Sequence, residues 1–280
     1  MSEPLLRNIS DTARWVATFR ADESEREDAL FRDPFARRLA GVRGARIAAA
    51  VRRRRESWPF VTRTYLFDQA IAGEVAMGAS LVLNLAAGLD TRPYRMSLPA
   101  SLRWVEVDLP ELLDYKEDVL RGETPGCALE RVRLDLSDVT ARRALLERLG
   151  RDVAKALVVS EGLLVYWSGE DVAALARDLA GPDSFQRWVL DLASPGLLKM
   201  LQRSLGRDLE NAGAPLKFAP PEGPGFFEPM GWRPLSVHSI MGTAARLRRV
   251  SWFMRLLAKL PESSGAQGKR PWSGVCLLSR

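Results

Sequence analysis

Four carboxylates in this 280-residue chain recur at one kind of position, the end of a short apolar run. Leu81-Val82-Leu83-Asn84-Leu85 passes through Ala86-Ala87-Gly88 to Asp90, Trp104-Val105-Glu106-Val107 ends at Asp108, Val132-Arg133-Leu134 ends at Asp135, and Ala156-Leu157-Val158-Val159-Ser160 ends at Glu161. Such runs read as strands of a parallel sheet buried on both faces, and open α/β sheets bind ligands in the crevice beyond the carboxyl ends of their strands. A ring of acids there repels a pyrophosphate and attracts a sulfonium or ammonium group. Asp108, about 20 residues beyond the small-residue loop, suits a ribose diol. Small residues at 86 to 88 let a ligand approach the backbone, although the Ala-x-Gly-x-x-Thr pattern lacks the three glycines of a dinucleotide fingerprint. The plainer reading of each acid is an N-cap for the helix that follows.

The elements that must position these groups follow from the pattern on either side. Before the first strand no period-two alternation occurs, and residues 1–78 read as a helical layer. Ser10 and Asp11 can cap a helix carrying Trp15, Val16 and Phe19; Asp33-Pro34 starts a second that Gly41 could stop; a third contains Arg63, Thr64, Leu66, Phe67, Asp68 and Ile71. From Leu81 strand and helix patterns alternate, which implies parallel βαβ units. Helices open at Glu111, at Ser137-Asp138 and at Ser168-Gly169-Glu170-Asp171, the last with Val172, Leu175 and Leu179 on its apolar face. Phe185–Ala193 reads as a fifth strand, and two more are expected near Trp232–Ser239 and Gly274–Ser279. The expected fold is a doubly wound α/β domain over 79–280, with lid insertions at about 195–231 and 240–270. Within the first insertion, the Pro- and Gly-rich stretch Pro215–Gly231 holds Phe226, Phe227 and Trp232 at its end; these aromatics either line a pocket or pack the loop onto the body. Arg246 to Lys259 reads as one basic amphipathic helix, able to dock on the protein or on a membrane surface.

Composition narrows the class. With 46% hydrophobic residues the chain can bury one sizeable α/β core. No apolar run is long enough to span a bilayer, and Met1-Ser2-Glu3-Pro4 carries neither a basic nor an apolar leader segment, so a cytoplasmic protein is expected. Cys127 and Cys276 are too few for a disulfide scaffold and have no His or Cys cluster near them in the sequence, so no metal is expected. Net charge is +6, with one dense run, Arg52-Arg53-Arg54-Arg55. That run could meet phosphates, but it reads more simply as a solvated helix end, and no nucleic-acid partner is expected.

The segment Asn84-Leu85-Ala86-Ala87-Gly88-Leu89-Asp90-Thr91-Arg92-Pro93-Tyr94-Arg95 closely resembles the signature of the leucine carboxyl methyltransferase family, which includes polyketide O-methyltransferases of the tetracenomycin type. Glu106-Val107-Asp108-Leu109-Pro110, Asp135-Leu136 and Glu161-Gly162-Leu163-Leu164-Val165-Tyr166 match further, and the likeness runs from about Thr12 to the last strand. It implies a Rossmann-like, mostly parallel seven-stranded sheet with an antiparallel final strand, and S-adenosyl-L-methionine as the cofactor. Carried over motif by motif, Arg63 would hold the cofactor carboxylate, Gly88 the methionine part, Asp108 with Leu109 the ribose side, Asp135 and Leu136 the adenine, and Glu161 the amino group. Asp90 would either touch the cofactor or order the loop. Ala86 stands where the family usually has glycine; its methyl is tolerable at negative φ and otherwise weakens binding.

The activity so implied is O-methylation of a small-molecule carboxylate or hydroxyl. A carboxylate is ionised at neutral pH and needs no base, whereas a phenol usually needs help to lose its proton. Tyr166 and Trp167 are the residues expected to face the acceptor, and His238, the single histidine, is the candidate base, although it reads more simply as an ordinary packed or surface residue. The rival readings are a nicotinamide-dependent oxidoreductase and an inactive fold relative serving as a binding protein. Oligomeric state is not legible in the sequence.

Overall fold

The computed structural model describes residues 9–52, 57–151, 153–258, 268 and 270–280. In chain order the elements are α1 (Ile9–Ser24), α2 (Ala36–Arg52), α3 (Trp58–Ala76), β1 (Leu81–Leu85), α4 (Arg92–Arg95), β2 (Arg103–Asp108), α5 (Pro110–Val119), β3 (Ala128–Arg133), α6 (Val139–Arg151), β4 (Ala156–Ser160), α7 (Gly169–Leu179), β5 (Phe185–Ala193), α8 (Pro195–Asn211), β6 (Arg233–Ser239), α9 (Ile240–Arg246), α10 (Trp252–Leu257) and β7 (Ser273–Ser279). The strands form one seven-stranded sheet in the order β3-β2-β1-β4-β5-β7-β6. Strands β1 to β5 pair in parallel, and β7 runs antiparallel to both β5 and β6. The order reverses between β1 and β4, whose every residue is buried; that switch point is where a crevice opens in sheets of this kind.

Each sheet face has its own apolar layer. On one side Leu81, Leu83, Val105 and Trp188 pack with Leu145, Leu149, Val172, Leu175 and Leu179 of α6 and α7. On the other, Val82, Trp104, Leu157 and Val189 meet Leu66, Phe67 and Ile71 of α3 and Ile240 of α9. The amino-terminal helices therefore divide. Helix α3 is a layer of the sandwich, while α1 packs against α2 and α8 through Trp15, Phe19, Ile47, Leu205 and Leu209.

Several local expectations are corrected. Ser10 and Asp11 lie inside α1 instead of preceding it, and Asp11 pairs with Arg43 at 2.8 Å. Gly41 bends α2 without ending it: at φ 59°, ψ −173° it breaks the helical path, which then resumes to Arg52. Of the arginine run only Arg52 falls among the described residues. The aromatics of the Pro- and Gly-rich stretch pack inward. Phe227 and Trp232 are fully buried, both edge-on to Trp188, and the Trp232 indole N–H donates to the Ala176 carbonyl at 2.9 Å. The single helix expected over Arg246–Lys259 is two: α9 stops at Arg246, Arg248 turns through φ 55°, and Ser251 caps α10 by accepting from the Met254 amide. Lys259 lies outside the described residues. Among the described residues no helix is long and apolar enough to cross a membrane, and no group of His, Cys, Asp and Glu could hold a metal.

Candidate functional site

A cleft of about 350 Å³ lies over the switch point. It is walled by the residues that follow β1, β2, β3 and β4, and by α1, which contributes Thr12, Ala13, Trp15 and Val16. Arg63, Ala86, Gly88, Asp90, Asp108, Leu109, Asp135, Leu136, Glu161, Tyr166 and Trp167 all line this one space. His238 does not. It is exposed on β6, the edge strand, beside a separate hollow formed with α3 and α9, so it is no candidate base for a reaction in the cleft.

The turn after β1 is shaped by backbone geometry. Ala86 and Gly88 both adopt left-handed conformations, φ 51° and φ 53°. The condition under which the Ala86 methyl is harmless, a negative φ, is therefore not met; the residue holds a conformation that costs an L-amino acid roughly 1–2 kcal/mol. What holds the turn is a set of side chains. Asp108 accepts the Gly88 amide on Oδ2 at 2.6 Å and the Leu109 amide on Oδ1 at 2.7 Å. Asp90 accepts from Asn84 Nδ2 at 2.8 Å and from the Arg92 amide at 2.9 Å, and pairs with the Arg92 guanidinium at 3.0 Å. The structure thus gives Asp90 the task of ordering the loop, and it explains why a polar residue, Asn84, sits 2% exposed in the central strand.

The acids do not form an uncompensated negative rim. Arg92, 2% exposed, joins Asp68 of α3 at 2.6 Å, Asp90, and Glu161 at 2.9 Å. Arg63 pairs with Glu161 at 3.1 Å and with Asp191 of β5 at 3.3 Å. Four carboxylates and three guanidinium groups (Arg20, Arg63 and Arg92) line the cleft, and the net field is weaker than the acids alone suggest. Asp108 and Asp135 are the two without a cationic partner at ion-pair distance among the described residues. Asp135 is exposed at the rim, where it also accepts the Ser137 amide at 2.9 Å in the turn before α6; the cap of that helix is Asp138, which accepts the Ala141 amide at 3.0 Å.

Burial and charge set the protonation of these groups. Burial pushes the Asp90 carboxyl up, but Arg92, Lys116 and Arg95 outweigh it and bring it down to about 2. Burial raises Asp108 and Asp191 above the usual carboxylate range despite the amides that each accepts and the Arg63 charge beside Asp191. Burial likewise raises the Tyr166 phenol, whose oxygen is bonded to the Thr12 side chain. Arg63 keeps its charge firmly, because Asp191 and Glu161 more than offset its desolvation.

Three participants were not singled out from the sequence. Asp191 is a fifth acid, inside the apolar run of β5 instead of beyond its end, and it also accepts the Gly162 amide at 2.6 Å. Arg92 lies within the signature segment, but its partners Asp68 and Glu161 are distant in sequence. Asp33, read as a helix start, accepts from Arg20 at 2.9 Å and from the Thr91 hydroxyl at 2.7 Å, and so ties α1 to the glycine turn.

Comparison with known proteins places this cleft. The model of the leucine carboxyl methyltransferase family matches residues 13–180, which include every cleft-lining residue named above except Thr12; Asp191 lies beyond them. The chain is 33% identical over 269 residues to a Streptomyces coelicolor protein provisionally named as an S-adenosyl-L-methionine-dependent methyltransferase, covering 92% of each. It is 37% identical over 199 residues to a Streptomyces avermitilis protein with the same provisional name, covering 67% of this chain and 70% of the other. In fold it is similar to the crystal structure of a Thermobifida fusca protein described provisionally as a methyltransferase, with a TM-score of 0.61 at 14% identity over 99% of this chain and 96% of that one. A second crystal structure, from Streptomyces avermitilis, reaches a TM-score of 0.58 at 17% identity over 93% and 95% of the two chains. On the extent of the family match and the full-length relative, the chain belongs to the leucine carboxyl methyltransferase family.

Proposed function

We propose that the cleft binds S-adenosyl-L-methionine and that the protein transfers its methyl group to an oxygen of a small-molecule acceptor, a carboxylate in the first place and a hydroxyl on a polyketide-like molecule in the second. The donor half of this reading rests on family membership and on the relatives named above. The observation that supports it in the structure is the convergence of Arg63, Gly88, Asp108, Leu136 and Glu161 on a single cleft at the switch point.

The residues present fit such a cofactor. Arg63 Nη2 has no acceptor among the described residues and remains for a carboxylate. Asp108 uses one lone pair of each oxygen on a backbone amide and keeps further sites for a diol, already aimed by the amides it holds. Glu161, held by two arginines, presents negative charge to an amino group. The buried Leu136 beside Asp135 offers an adenine an apolar face. The cofactor supplies a methyl carbon already activated on sulfur; the chain's own part is alignment and exclusion of water.

The acceptor half rests on chemistry. No histidine lines the cleft, and the Tyr166 phenol is held protonated by burial, so a group already ionised at neutral pH suits the site best. Trp15, Phe60, Val165, Tyr166 and Trp167 make the remaining wall largely apolar and aromatic. Incubation with methyl-labelled cofactor and a panel of aromatic and aliphatic carboxylates and phenols, read by mass spectrometry, tests the reading. Label on a carboxylate oxygen is expected; label on nitrogen, sulfur or carbon refutes the oxygen assignment.

A further inference from the structure

The short helix α10 breaks the rule that large apolar side chains are buried. Trp252 is 72% exposed, Phe253 56%, Leu256 52% and Leu257 47%, and no residue of the helix is buried. The spacing i, i+1, i+4, i+5 puts these four on one face and leaves Arg255 on the other. The helix is not loosely attached. Val250 before it is buried, and the neighbouring Arg249 pairs with Glu23 at 2.9 Å and Asp28 at 2.7 Å at the end of α1, the helix that walls the cleft.

Charge says what covers this face. Between Glu228 and Glu262 the sequence has no acid and six basic residues, Arg233, Arg246, Arg248, Arg249, Arg255 and Lys259. Arg246, Arg248 and Arg255 are exposed and have no acidic partner among the described residues. The four apolar side chains together expose on the order of 500 Å², short of the roughly 800 Å² per partner that a stable protein interface buries. Trp, Phe and Leu on one helix face, with exposed arginines around them, is instead the composition of a helix that lies in the headgroup region of an anionic bilayer.

We propose that α10 with the preceding turn is a peripheral docking surface for anionic lipid, Trp252, Phe253, Leu256 and Leu257 entering the interface and Arg246, Arg248 and Arg255 meeting the headgroups. None of these side chains lines the cofactor cleft, so cofactor titrations are expected to be unchanged by substitutions among them. The test is flotation of the full chain with vesicles of phosphatidylcholine alone and with vesicles containing phosphatidylglycerol. Binding is expected to be about tenfold tighter to the anionic vesicles and to weaken as salt is raised. Trp252→Ser with Phe253→Ser abolishes it, and Arg248→Gln with Arg255→Gln removes the preference for anionic lipid; circular dichroism confirms that both variants fold. Trp252 is the most exposed of the eight tryptophans, so a blue shift of emission on binding that disappears in Trp252→Phe, while flotation persists, locates the contact. Absence of flotation at low salt overturns the proposal, as does retention of binding by the Trp252→Ser, Phe253→Ser variant. A concentration-dependent dimer that this variant dissociates, without vesicle binding, assigns the face to a second copy and overturns it equally.

Discussion

The amide of Gly88 donates to Oδ2 of Asp108 at 2.6 Å, joining the turn after β1 to the acid that ends β2. The residue proposed to take the ribose and the turn proposed to cradle the methionine part are therefore one hydrogen-bonded unit.

Replacing Asp108 with alanine removes both the diol acceptor and the anchor of the turn. Each hydrogen bond to a charged group contributes about 1.5–3 kcal/mol, so affinity for S-adenosylhomocysteine should fall about 100-fold. Asp108→Asn retains one acceptor oxygen and should lose less. Calorimetric titration of both variants, with thermal unfolding as the control for folding, measures this; parent-like affinity in the alanine variant would remove Asp108 from the ribose.

Arg63 couples stability to binding. Arg63→Ala leaves Asp191 without a cationic partner among the described residues and Glu161 with Arg92 alone; losing one partner of a fully buried ion pair costs about 3–5 kcal/mol, and the loss here should be smaller because these side chains are partly exposed. Arg63→Lys keeps the charge without the bidentate fork and should recover most of the stability but little of the cofactor affinity. Urea unfolding paired with the same titration separates the two effects. If Arg63→Lys binds cofactor as tightly as the parent, a fork to the carboxylate is not needed.

Asp90 gives a pH signature. Its folded value of about 2 lies below the ordinary 3.8, so its ion pairs stabilise the fold fully above the unfolded value, and the contribution is lost as pH falls through 2. The difference corresponds to about 2 kcal/mol at neutral pH. Asp90→Asn should lower stability by about that amount near pH 7, and the gap between variant and parent should close toward pH 2. Urea midpoints measured across this range check it, and a gap independent of pH would mean that the hydrogen bonds of Asp90 matter more than its charge.

Ala86 is strained in the observed turn. Ala86→Gly removes the clash of Cβ with the left-handed backbone and should stabilise the fold by about 1 kcal/mol, raising Tm by about 2 °C. Tighter cofactor binding in the same variant would show that the strain is greater in the bound turn than in the free one; a lower Tm would show that unfolded-state freedom gained by glycine dominates.

The parts of the fold legible in the sequence are those where burial alone decides. Strands β1 and β4 are short, almost wholly apolar runs because both faces of a central parallel strand are covered, and β5, mostly apolar, has the bounds Phe185–Ala193 that its pattern predicts. Acids beyond strand ends could be found for the same reason, since each interrupts such a run. Asp191 escaped because it sits within its strand, and the task of Arg92 escaped because Asp68 and Glu161 reach it from α3 and β4, contacts that no local pattern records. The break between α9 and α10 turns on Arg248 at positive φ, a conformation its residue type does not announce, although Ser251 before Trp252 was an available cap signal. That α1 walls the cleft follows from the Arg20–Asp33–Thr91 linkage, again long-range. His238 shows the converse, a residue type suited to chemistry placed on an exposed edge strand.

A cleft built for a methyl donor should take S-adenosylhomocysteine and reject a dinucleotide. Side-by-side calorimetric titration of the full chain with S-adenosylhomocysteine and with NADH tests this most directly. One-to-one binding of S-adenosylhomocysteine is expected, weakened about 100-fold by Asp108→Ala, with no heat of binding from NADH. Saturable binding of NADH alone would contradict it.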